Sequence, residues 1–79
     1  MIKVDNEYNT WEQLVEKYPD QWVVVENAEL TNGGFIKAGE LIAVGNSVEI
    51  DDFVVECYKA NRKIDYQRTT DSGRNSFTL

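Results

Sequence analysis

The sequence predicts a small α+β domain: a three-stranded sheet with two helices, in the order helix, strand, strand, helix, strand. Three observations carry that expectation. A capped amphipathic segment ends at a proline, two apolar β-rich runs flank an Asn-Gly-Gly turn, and a second amphipathic segment precedes an alternating one. Seventy-nine residues suffice for one domain, read here as 1–79 with an ordered core of about 10–70. Residues 71–79 are read as a mobile tail, polar and turn-like from Asp71 to Ser76, with Phe77-Thr78-Leu79 docking or fraying.

The first helix starts at Thr10. Thr10-Trp11-Glu12-Gln13 fits a capping box, in which the threonine hydroxyl and the glutamine amide each satisfy an orphan backbone N–H. Trp11, Leu14, Val15 and Tyr18 then follow at helical spacing, and Pro19 stops the helix after about two turns. So short a helix must pack on something. Trp22-Val23-Val24-Val25 supplies it: a β-branched run, apolar on both faces, as in an interior strand covered on both sides.

Thr31-Asn32-Gly33-Gly34 reads as a hairpin turn, and Phe35 to Val44 as the returning strand. Asn27 to Leu30 fits strand or loop, and Gly39 a bulge or the start of pairing. Gly45-Asn46-Ser47 breaks the strand. Ile50, Phe53, Val54, Cys57 and Tyr58 then share one helical stripe, with Ser47 or Asp51 as N-cap. Acids crowd the start of this helix and Lys59, Arg62 and Lys63 its end, the polarity that the helix dipole favours. Lys63 to Thr69 alternates as a third strand. Sheet orders 1-2-3 and 2-1-3 are both open; 2-1-3 is preferred, because the most apolar strand belongs in the middle.

Trp11, Leu14 and the run Tyr18-Pro19-Asp20-Gln21-Trp22-Val23-Val24-Val25 resemble the opening of small bacterial, clostridial-type domains of unassigned function. Arg68-Thr69-Thr70-Asp71 is similar to the end of some of them. The resemblance spans residues 10–71 and implies the fold without an activity.

Composition narrows the chemistry. The chain has no histidine and one cysteine, which removes Ser-His-Asp and Cys-His nucleophile systems, an intramolecular disulfide and thiolate zinc clusters. No cofactor or metal is expected. The acids Glu49, Asp51, Asp52 and Glu56 lack the calcium-loop pattern and read as helix-start charges. Asp71-Ser72-Gly73 matches the triplet of retropepsin-like proteases but has none of their flanking apolar strands. Cys57 sits on the apolar stripe and reads as core. No apolar run approaches the ~20 residues that span a bilayer, and the start has no leader-like segment, so cytoplasmic residence is the default expectation.

Net charge is −6, unevenly spread: residues 1–56 hold twelve acids against Lys3, Lys17 and Lys37, whereas residues 57–79 are net basic. The first expectation is therefore a non-enzymatic protein-interaction or regulatory module working through an acidic surface, with Glu12, Glu16, Asp20, Glu26 and Glu29 as candidates. An inhibitor of mobile-element or phage type, whose carboxylates imitate phosphates, is one form of it. The alternative is nucleic-acid or small-anion binding at the basic end, with Tyr66, Arg68, Thr69, Thr70 and Asp71 as the site. Nucleic acid is disfavoured by the net charge, so the partner expected is another protein.

Overall fold

The computed structural model describes residues 1–69. Six elements follow one another: β1 (Ile2–Thr10), α1 (Trp11–Lys17), β2 (Trp22–Leu30), β3 (Ile36–Gly45), α2 (Ser47–Lys59) and β4 (Ile64–Arg68). They form one antiparallel four-stranded sheet in the order β1-β3-β2-β4.

This corrects the expected three-stranded sheet and its helix-first topology: a strand precedes α1. Residues 2–10 escape a reading by pattern because β1 is an edge strand in which only Asn9 is buried, so no inward-facing apolar alternation marks it. Its pairing with β3 is also irregular. The register steps between Lys3 and Glu7, and Asn6 takes φ 46° there, a left-handed conformation that Asn tolerates better than most residues. With β1 added, β3 and β2 are the two interior strands, and β2 lies between β3 and β4.

The three valines of β2 show why the sheet needs a helix on each side. Val23, Val24 and Val25 are all fully buried. Val23 and Val25 join Leu14, Ile36, Leu41 and Val44 under α1, while Val24 joins Ile42, Ala43, Ile50, Val54, Cys57 and Ile64 under α2. Strand pairing passes from Val24–Ala43 to Val25–Leu41, which leaves Ile42 as an extra residue beside Ala43 on the α2 side. Two separate small cores result, one on each face.

Local chemistry fixes the helix ends. Thr10 and Gln13 form the expected capping box on α1. On α2 the N-cap is Asn46, not Ser47 or Asp51: its side chain accepts from Glu49 N at 2.9 Å, and Glu49 accepts in return from Asn46 N. At the other end Arg62 N donates to Cys57 O and Asn61 N to Tyr58 O, with Asn61 at φ 59°, a Schellman closure. Tyr58, expected on the buried stripe, is 56% exposed and points out of the core.

Candidate functional site

The basic-end candidates separate once they are placed on β4. Arg68 pairs with Trp22 and Tyr66 with Val24, so Trp22 and Tyr66 are near neighbours, their rings 6.1 Å apart and tilted by 43°. Arg68 lines an open cleft of about 330 Å³ with Asp20, Gln21, Trp22, Gly45, Asn46 and Ser47, where β3 turns into α2. Thr69 is fully buried and serves the fold. Its hydroxyl lies against the Tyr18 carbonyl and 3.0 Å from the Gln21 carbonyl, and it accepts from Gln21 N at 3.1 Å. Together with Thr69 N donating to Gln21 O, these contacts pin the α1–β2 connection to the end of β4. Thr70, Asp71 and the Asp71-Ser72-Gly73 triplet lie outside the described residues.

The acidic candidates do not make one surface. Glu12 and Glu16 stand exposed on α1. Asp20, at φ 55°, borders the Arg68 cleft. Glu26 is turned toward the residues that follow α2: Arg62 donates to both of its oxygens, at 2.8 and 2.9 Å, and Asn6 Nδ2 donates to it at 2.8 Å while also reaching Glu40 at 2.9 Å. The Arg62 guanidinium, helped by Asn6, holds the Glu26 carboxyl down at about 2. Glu29 accepts from the Tyr8 hydroxyl at 3.0 Å, a contact that pushes the phenol upward. Glu26 and Glu29 are therefore committed to holding strands and loops together.

The charge asymmetry read along the chain is likewise folded inward in part. Besides the Arg62–Glu26 pair, Lys17 reaches Glu7 at 3.2 Å and the Asn9 side chain at 3.1 Å, tying α1 to β1. Asn9 and Lys17 together lower the Glu7 carboxyl. The Met1 ammonium sits 2.8 Å from Glu49 and lowers that carboxyl.

One surface was missed. The outward side of α2 carries Val48, Val55 and Tyr58 at 71%, 50% and 56% exposure. Positions 48, 55 and 58 fall within an arc of roughly 80° on a helix turning ~100° per residue. Asp51 lies within that stripe, and Asp52, Glu56 and Lys59 stand exposed beside it. An open groove of about 690 Å³, lined by Lys3, Asp52, Phe53, Val55 and Lys59 among others, runs along the same helix. The spacing of seven and three residues was visible in the sequence. The stronger stripe of Ile50, Val54 and Cys57 obscured it, and Tyr58 was assigned to that inner stripe instead.

Cys57 is buried, and burial pushes its thiol up, the opposite of what a nucleophile needs. Among the described residues no group of three or more acids and cysteine is arranged to hold a metal ion, and no helix is long and apolar enough to cross a membrane. Compared with known proteins, the chain matches no family model, no curated sequence and no solved structure.

Proposed function

We propose that this chain is a non-enzymatic protein-interaction module whose working surface is the acidic outer side of α2. One observation carries the reading: α2 buries one apolar stripe on the sheet and exposes a second, Val48, Val55 and Tyr58, with Asp51 within it and Asp52, Glu56 and Lys59 beside it. Single exposed apolar residues are ordinary, but three aligned on one helix with a charged border have the form of a docking face. Replacing Val55 by a photo-crosslinking amino acid in the native cell tests this. A discrete covalent adduct is expected from position 55 and none from position 12 on α1. Adducts from positions 12 and 16 with none from 55 would transfer the function to the acidic side of α1.

A second reading, small-anion binding, is favoured by Arg68, the cation lining the cleft shared by Gln21, Trp22 and Ser47. Asp20 on the same rim opposes it. Titration with inorganic phosphate, followed by tryptophan fluorescence, would show a saturable change that Arg68→Ala abolishes if this reading holds; no change would remove it.

A further inference from the structure

We propose that the partner of the outer α2 stripe is a second copy of this chain, docked helix against helix in an antiparallel, two-fold pair. The inference rests on the reading of α2 as a docking face and adds the identity of what covers it.

The charge order along the helix selects this occupant. From Ser47 to Cys57 the helix contains no lysine or arginine, and it exposes Asp51, Asp52 and Glu56; Lys59, its last residue, is exposed as well. A uniformly basic partner would meet the acids but be repelled by Lys59, and a uniformly acidic one would meet the reverse. A copy laid parallel would set acid on acid. A copy laid antiparallel sets the acidic first half of each helix toward the lysine end of the other and opposes the two helix dipoles.

The apolar residues agree with that arrangement. Val55 of each copy then meets Val55 of the other near the two-fold axis, the register that sets Asp51 opposite Lys59. Two-fold pairing of one patch with itself is the commonest form of homo-oligomer. The surface is small: one face of a 13-residue helix falls short of the ~800 Å² per partner of a standard stable interface. The pair is accordingly weak and reversible.

Sedimentation equilibrium of the full chain, from micromolar to submillimolar concentration, tests the inference. The weight-average mass should climb from that of the monomer toward twice that value, and Val55→Glu should weaken association at least tenfold while leaving the far-ultraviolet spectrum unchanged. Asp51→Lys and Lys59→Glu should each weaken it, and the double variant, which restores opposite charges across the pair, should recover most of the loss. A monomer at every concentration would overturn the second-copy assignment, as would a dimer indifferent to Val55→Glu or a double variant no better than the singles. The position-55 cross-linker separates the two levels: an adduct of any mass other than twice the chain contradicts the second copy while leaving the docking face intact, and no adduct contradicts both.

Discussion

Two side chains show how much of this fold depends on single atoms. The Thr69 hydroxyl is the contact between the α1–β2 connection and the end of β4, and it is wholly buried. Thr69→Val keeps the shape but leaves the part-buried Tyr18 carbonyl and Gln21 amide without the hydroxyl. It should cost about 1–3 kcal/mol in urea unfolding, with Thr69→Ser recovering most of it. A stable valine variant would mean that the hydroxyl contacts carry no weight. Gly39 is required for a different reason. A Cβ there would lie 2.9 Å from Val25 Cβ and 3.3 Å from Ala28 Cα, inside normal contact. Gly39→Ala should therefore force β2 and β3 apart and lower stability by roughly 1–3 kcal/mol; an unchanged melting temperature would contradict the close approach. The sequence marks both positions. Thr69 looked like a ligand-binding hydroxyl because a strand end is where such groups often stand, and nothing local signals that its partners are Tyr18 and Gln21, some fifty residues earlier.

At the level of elements, the Arg62–Glu26 pair connects the turn after α2 to the middle of β2. Glu26 titrates at about 2 in the folded chain against 4.5 for an ordinary glutamate, so the unfolded chain binds its proton more readily. The stability this adds is fully present above pH ~4.5 and is lost as pH falls from there toward 2. Glu7 and Glu49, also lowered, act in the same direction. Glu26→Gln should flatten, without abolishing, the fall in stability between pH 4.5 and 2, measured by urea midpoints across that range. An identical pH profile for parent and variant would contradict the pairing. Legibility varied by element for physical reasons. The capping box at Thr10, the Asn-Gly-Gly turn and the two helical stripes are local signals and could be read directly. β1 could not, since an edge strand interrupted at Asp5-Asn6 has little apolar alternation to show. The N-cap of α2 is Asn46 and not the expected Ser47 or Asp51, because all three are competent caps and only the reciprocal partner, Glu49, decides among them.

The described residues form a thin sheet in which Val23 to Val25 of β2 and Leu41 to Val44 of β3 are buried on both faces, under one short helix and one longer one. That design leaves α2 two-sided: one stripe builds a core with Val24, Ile42 and Ala43, and Val48, Val55 and Tyr58 face outward. Net acidity was legible from composition, but its distribution was not, because Glu26, Glu29, Glu7 and Glu49 are drawn into contacts that only the folded chain creates. Two adjacent valines, ~100° apart on the helix, one turned to the sheet and one outward, test the two-sidedness of α2. Val54 is 5% exposed and Val55 50%. Urea unfolding of Val54→Ala and Val55→Ala, run side by side at micromolar concentration so that association does not contribute, should show Val54→Ala losing roughly 2 kcal/mol and Val55→Ala less than about 0.5. Equal losses, or a larger one at Val55, would place the outer stripe in the core and contradict the account.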